Sequence, residues 1–223
     1  MLNILLKIKF LLKKPKVVIV IGQERKAVKE AISQVLRQYF KLGQDVFIFE
    51  TEEKKINKFT FFLKNSELPI LVMNNAAEIS LPKNLPANTY FILNCDEEKI
   101  KGVLDALDNL KTMKFGFKEK NDIFASDIKI NGGTNFKVNY KGKIVPFWLK
   151  GLLGEEDLSS SSPTESREAG RGKEESKTLF ATELSRSESE GEKEQIYAAL
   201  AAISVGTILG LNLVEISQSL REK

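Results

Sequence analysis

Two rhythms of apolar residues run along this chain. One is a set of short continuous runs: Val17-Val18-Ile19-Val20-Ile21, Asp45-Val46-Phe47-Ile48-Phe49, Leu68-Pro69-Ile70-Leu71-Val72-Met73, Thr89-Tyr90-Phe91-Ile92-Leu93 and Met113-Lys114-Phe115-Gly116. Runs rich in β-branched and aromatic residues, with no polar alternation, predict strands buried on both faces. The other rhythm is helical. Ala27/Val28, Ala31/Ile32, Val35/Leu36 and Tyr39/Phe40 predict a helix from Arg25 to about Lys41, closed by Leu42-Gly43, and a second helix is predicted from Glu97 to about Leu110. Such strands alternating with helices imply an α/β fold, a mostly parallel sheet with helices on both faces.

Beyond Lys111 the rhythm changes. Asp122 to Ile130, Asn135 to Tyr140 and Lys143 to Trp148 predict strands joined by tight turns at Asn131-Gly132-Gly133 and Lys141-Gly142, a small antiparallel meander appended to the parallel sheet. Residues 155–192 are dominated by Ser, Glu, Arg and Lys, with Leu179-Phe180-Ala181 and Leu184 as an apolar patch. A segment this polar cannot bury enough surface to offset its ordering entropy, and it is expected to be a disordered surface insertion. The run Ile196 to Val214 carries no charge. Gly210 suits a helix stop and Asn212 with Glu215 a capping pair, so the run divides into two helices. The longer, of roughly four turns, is too short to cross the roughly 30 Å hydrocarbon core of a bilayer. The expected organisation is a basic lead-in at 1–16, one domain made of 17–154 and 193–223, and the insertion at 155–192.

Composition narrows the chemistry. With 223 residues, 42% hydrophobic and 29% charged, the chain can bury one ordinary core. The formal charge is +4 and its surplus lies at the front, where Lys7, Lys9, Lys13, Lys14 and Lys16 precede the first acid, Glu24. No basic stripe interleaved with exposed aromatics is evident, which argues against nucleic acid as a partner. Lysines interrupt the apolar start and no small-residue cleavage site follows, so the stretch is not read as a signal peptide. On a helical wheel Lys7 and Lys14 fall away from Lys9 and Lys13, leaving no clean polar face. The expectation is a lead-in to the first strand, with contact between the lysine-rich stretch and a membrane surface as the alternative. Cys95 is the single cysteine, which allows no internal disulfide and fits a reducing, cytoplasmic setting. The absence of histidine excludes His-ligated zinc, Ser-His-Asp chemistry and imidazole acid-base catalysis from within this chain.

Candidate chemistry concentrates in Val17 to Leu36, where an apolar strand, a glycine turn, a lysine and an amphipathic helix follow one another. In a phosphate-binding loop the chain leaves a strand in this way, and the N–H groups opening the next helix face an anion. Gly22, Gln23 and Lys26 are the candidate nucleotide contacts. Arg25 stands where a second glycine would let the backbone approach phosphates, and Ala27 where a hydroxyl would bind a metal. Asn94 and Asp96, closing the fourth strand, are further candidates. Each also has a plain structural reading: Gly22 as a turn, Lys26 as a solvated lysine, Asn94 and Asp96 as caps of the helix that follows.

The order of these pieces resembles the central, ATP-binding domain of the Mur ligases. Val20 to Ile32 lies where that family has T-G-S-x-G-K-T-T-T-K-E-A-I, and Ala77-Glu78-Ile79 followed by Leu85-Pro86 is similar to its K-G-E-I and L-P stretch. Leu93-Asn94-Cys95-Asp96 resembles its l-N-x-D, and Lys114-Phe115-Gly116 its t-F-G. Leu153-Gly154-Glu155, then Gln195-Ile196-Tyr197-Ala198-Ala199-Leu200-Ala201-Ala202-Ile203, resembles l-l-G-x-H-n-v-x-N-A-L-A-A. Leu209-Gly210 with Val214-Glu215-Ile216 resembles the closing l-G and l-e-e-I. The motifs are colinear over nearly the whole chain, and look closest to those of the member that adds D-alanyl-D-alanine to UDP-muramoyl tripeptide. The resemblance implies an ATP-dependent amide ligase of peptidoglycan precursors, which phosphorylates a carboxylate with magnesium bridging the phosphates and lets an amine attack the acyl phosphate.

The departures imply that this reaction is lost. Besides Arg25 and Ala27, the family's N-N-E stretch with its magnesium-binding Glu has no counterpart after Phe49, where Glu50, Glu52 and Glu53 are acids outside the motif. The histidine-bearing loop is missing between Met73 and Ala76, Ala76 stands where a carbamylated lysine would fall, and the late motif histidine is absent. The family's flanking substrate and amine domains are not expected within these residues. Phosphoryl transfer rests on metal and cationic groups placed around the transferring group, so losing hydroxyl, carboxylate and lysine together leaves little to hold Mg2+. No catalytic and no metal-binding residue is expected, and the implied ligand is ATP, weakly held and without Mg2+. The expected role is a nucleotide-binding or scaffold module in peptidoglycan precursor synthesis, with a cell-wall synthesis protein as partner. The alternatives are an active ligase completed by a partner chain and a non-enzymatic interaction protein.

Overall fold

The computed structural model describes residues 10–74, 85–96, 110–130, 133–150 and 174–221, and the side chains of all of these but 174–189. Its strands are β1 (Lys16–Gly22), β2 (Val46–Thr51), β3 (Pro69–Asn74), β4 (Tyr90–Asn94), β5 (Lys111–Gly116), β6 (Ile123–Ile130), β7 (Gly133–Tyr140) and β8 (Lys143–Lys150). They form one eight-stranded sheet in the order β2-β1-β3-β4-β5-β6-β7-β8. From β2 to β5 neighbours are parallel, and β6 joins β5 in parallel through Phe115–Ile123 and Gly116–Phe124. β6, β7 and β8 then run antiparallel. This is the predicted parallel sheet with its appended meander. The helices are α1 (Arg25–Leu36), α2 (Thr60–Lys64), α3 (Glu174–Ile208) and α4 (Leu213–Arg221), with a 3-10 helix at Glu53–Phe59.

Strand alternation divides the apolar side chains between two cores. Val18, Val20, Ile70, Val72 and Ile92 face one, against Val28, Ile32 and Val35 of α1 and Leu200, Ile203 and Val205 of α3. Val17, Ile19, Ile21, Leu71, Met73, Phe91 and Leu93 face the other, under Phe10, Ile56, Phe62 and Leu63. Both faces of the central strands are therefore dry, which is why their sequences read as unbroken apolar runs. The sheet ends at β8, where α4 lies against the strand and Ser217 Oγ donates to Pro146 O at 3.0 Å. Pro146 itself offers no N–H at that edge, so it blunts pairing with another strand.

The uncharged run 196–214 divides as the sequence predicts. Leu211 N–H donates to Gly206 O and Gly210 N–H to Thr207 O, closing α3. Asn212 Oδ1 then accepts the N–H groups of Val214 and Glu215, both at 3.0 Å, while Glu215 Oε2 accepts Asn212 N–H at 2.8 Å. Among the described residues no helix is long and apolar enough to cross a membrane.

Other boundaries differ. α1 stops at Leu36 rather than Lys41, because the N–H groups of Tyr39 and Phe40 both turn back to Leu36 O. The 3-10 helix and α2 escape sequence reading because lysines break their apolar pattern, although Ile56, Phe62 and Leu63 are buried. α3 begins at Glu174, inside the segment read from sequence as disordered. Its early turns hold good helix formers and extend the buried helix that starts near Ile196. Residues 155–173 and the predicted helix at 97–109 lie outside the described residues.

Candidate functional site

The carboxyl ends of the parallel strands finish side by side. Gly22 is level with Asn74, Met73 with Leu93, and Asn94 with Phe115. In open α/β sheets ligands bind along this edge. Gly22, at φ 108, bends the chain out of β1 in a conformation that side chains resist. Glu24 follows at φ 49 and its side chain makes no cap bond to α1. Arg25 folds back so that its Nη1 lies 3.4 Å from Gly22 O. Gln23, Lys26 and Ala27 are exposed, Lys26 in the first turn of α1. Glu24 also faces α3: burial first, then the charges of Glu24 and Glu190, raise the Glu194 carboxyl above its ordinary range.

Next to the bend lies a buried amide pair. Asn94 Nδ2 donates to Asn74 Oδ1 at 3.1 Å, and Asn94 Oδ1 accepts Asp96 N–H at 3.2 Å. Asp96 turns toward the β5–β6 connection and α3. Its Oδ2 accepts Phe117 N–H and, at 3.2 Å, the Tyr197 hydroxyl, while Oδ1 accepts Asn121 Nδ2 at 3.4 Å. A Cβ at Gly116 would lie 2.5 Å from Asp96 Oδ2, so only glycine allows this approach. The Tyr197 ring packs on Phe117 with centroids 4.6 Å apart. Burial pushes the Cys95 thiol up to about 11, which leaves it protonated and unsuited to nucleophilic work.

A cavity of about 230 Å³ opens beside the loop. Its walls include Ala27, Ala31, Gln34, Leu149, Ala198 and Ala199, and Gln195 also lines it. Gln195 Oε1 is buried with no hydrogen-bond partner among the described residues. Alanine and leucine walls, one unused acceptor and the charged Glu30 and Lys150 in the same lining suit a flat polar ring carrying an N–H.

Of the sequence candidates, Gly22 and Asn94 are joined through Asn74, Gln23 and Lys26 stand at the exposed start of α1, and Asp96 braces neighbouring elements. Asn74 was legible in principle, since it ends an apolar strand as Asn94 does. Asn121, Tyr197 and Gln195 gave no such signal, because segments distant in sequence bring them into place. Of the acids after Phe49, two are engaged elsewhere: Glu50 pairs with Lys29 at 3.9 Å and Glu52 with Lys55 at 2.9 Å. Ala76 to Ile79 lie outside the described residues. The described residues do not fit Mg2+: Ala27 presents a methyl group, and among them no three His, Cys, Asp or Glu side chains group as ion ligands.

No protein-family model and no curated protein matches the chain. Solved structures do. MurF ligase from Thermotoga maritima in complex with ADP matches at TM-score 0.61 and 12% identity, over 96% of this chain and 50% of that one. The chain has the Mur ligase central-domain fold. MurF from Acinetobacter baumannii matches at 0.59 and 12% identity over 97% and 47% of the two chains, and UDP-N-acetylmuramate-alanine ligase MurC from Thermotoga maritima at 0.56 and 15% over 98% and 46%. The chain thus spans about half the length of these ligases, with 47% and 50% of the two MurF chains covered. At such identity the likeness is one of fold.

Proposed function

We propose that this chain is a catalytically degenerate Mur ligase-like central domain, linked to peptidoglycan precursor synthesis in the cytoplasm, that binds nucleotide weakly without metal and serves as a binding or scaffold module. One observation carries the reading: the bend and helix start at Gly22–Lys26 persist while the loop interior has changed. Glu24 is left-handed, Arg25 closes on the Gly22 carbonyl, and Ala27 lacks a hydroxyl. The first turn of α1 and Lys26 attract a phosphate. Glu24, with Glu190 and Glu194 nearby, opposes it, and among the described residues no group of acids is placed to hold the metal that phosphoryl transfer requires. The cavity beside Ala27 suits the base, with Gln195 Oε1 free to accept an N–H. The ADP complex of the Thermotoga maritima MurF supports ATP or ADP as the class of ligand.

Calorimetric titration with ATP, with and without Mg2+, tests this. The expected result is the same weak affinity in both, no hydrolysis, and loss of binding in Lys26→Glu. Tight Mg2+-dependent binding with turnover of a muramoyl peptide would support an active ligase completed by a partner chain. No binding at all would support a non-enzymatic interaction protein in contact with cell-wall synthesis proteins. Binding that survives Lys26→Glu would place the site away from the loop.

A further inference from the structure

The face of the sheet away from α1 and α3 is closed by an unusual layer. Phe10 is 3% exposed and packs on Phe47, Phe61 and Phe62, with centroids 5.3, 6.2 and 5.1 Å away. That contact pins the helical turn Phe10–Lys13 to the body of the protein. Lys14 N–H donates to Phe10 O at 2.9 Å, and Lys14, at φ 43, ends the turn. With Phe10 directed inward, the next two residues point out: Leu11 is 42% and Leu12 82% exposed. Lys13 and Lys14 beside them are exposed.

The segments packed against Phe10 continue the pattern. Phe59, Phe61 and Phe62 complete the aromatic cluster, and the same stretch carries Lys54, Lys58 and Lys64, all exposed and, among the described residues, in no ion pair. Of the described lysines nearby, only Lys16 and Lys55 are neutralised, by Glu67 at 3.1 Å and Glu52 at 2.9 Å. Residues 1–9 add Lys7 and Lys9 to the sequence and no acid. Exposed leucines call for an apolar medium, and unpaired lysines for anions. Duplex nucleic acid would satisfy the lysines and leave the leucines wet. An anionic lipid surface satisfies both, since headgroup charge and acyl chains lie within one side chain of each other.

We propose that this face, through Leu11, Leu12 and the lysines around them, docks on an anionic bilayer surface without crossing it. The helical wheel of the sequence counted against a membrane contact partly because Lys14 falls away from Lys13. The structure ends the turn before Lys14, so that objection lapses. The inference is independent of the proposed nucleotide binding, whose residues lie at the carboxyl edge of the sheet and beside α1 and α3.

Co-sedimentation of the full chain with phosphatidylglycerol-containing and with purely phosphatidylcholine vesicles tests it. Sedimentation with the anionic vesicles alone is expected, declining as salt rises. Leu12→Asn, and separately Lys13→Gln with Lys14→Gln, should each weaken it on the order of tenfold. These side chains are exposed, so circular dichroism should be unchanged. Equal partition into neutral vesicles, or no sedimentation with either, overturns the proposal. So does wild-type binding by Leu12→Asn, which would leave bare charge attraction, or tighter binding to duplex DNA than to the anionic vesicles.

Discussion

Asp96→Asn would separate a bracing carboxylate from a ligand-binding one. The side chain gathers donors from three sources, the Phe117 N–H, the Tyr197 hydroxyl and the Asn121 amide. A hydrogen bond to an ionised acceptor contributes about 1.5–3 kcal/mol when its surroundings are dry. Asn keeps one accepting oxygen and turns an NH2 group toward a donor, so at least one such bond is lost. The site is only half-buried, and water can take up part of the loss. A fall in stability of about 2–3 kcal/mol is therefore expected. Tyr197→Phe removes one donor and should cost about 1 kcal/mol. The double variant should lose less than the sum, because both changes act on the same carboxylate. Urea unfolding followed by circular dichroism measures all three, and ATP titration of the folded variants runs beside it. The reasoning fails if stability is unchanged and ATP binding drops on the order of tenfold. Asp96 would then be a nucleotide contact after all.

Gly116→Ala places a methyl group 2.5 Å from Asp96 Oδ2 and should cost about 2–3 kcal/mol, whereas Gly142→Ala, at φ 75 with open space around it, should cost about 1 kcal/mol. Equal costs in denaturant melts would remove the close-approach argument. Glu194→Gln should change how stability depends on pH. The folded carboxyl is raised by burial, Glu24 and Glu190, so its contribution is full below the unfolded value and is lost as pH rises through the raised folded one. The Gln variant should flatten the mildly acidic part of the curve and be the more stable protein at neutral pH; an unaltered slope would count against the contact. Cys95, with its thiol near 11, should react with a disulfide reagent far more slowly in the native than in the unfolded chain at neutral pH, and similar rates would contradict its burial.

The sheet was legible because its strands obey a one-dimensional rule. Val17 to Ile21 and Leu68 to Met73 are apolar at every position or nearly so, and only a strand covered on both faces tolerates that. Capping at Asn212 and Glu215 was legible for a similar reason, since the partners lie three residues apart. The site was less so. Gly22 and Lys26 show in sequence, but the Arg25 side chain closing on Gly22 O, and Glu24 facing Glu194, depend on how α1 and α3 are placed. The bracing by Asp96 was not legible in sequence, because the Asn94-Cys95-Asp96 spacing says nothing of Tyr197, 101 positions away. The 3-10 helix with α2 was missed because its lysines face solvent while its phenylalanines hold Phe10.

The same division between core and loop lets such a fold accept changes in the loop. The residues that build the two cores sit inside strands, on the inner faces of the helices and in the turn at Phe10, and none of them lies in the loop Gly22–Lys26. Changing loop residues therefore leaves the packing that dominates stability untouched. What it does alter is local: a left-handed Glu24 costs on the order of 1 kcal/mol, a penalty that a glycine there would avoid. A triphosphate bound tightly through metal would make a carboxylate at Glu24, set against Glu190 and Glu194, expensive on electrostatic grounds. The presence of these three acids at the mouth of the loop is thus compatible with weak nucleotide binding and at odds with tight polyphosphate binding. Glu24→Gly should accordingly strengthen ATP binding and stabilise the fold together; if affinity rises while stability falls, the strain argument is wrong and repulsion alone remains.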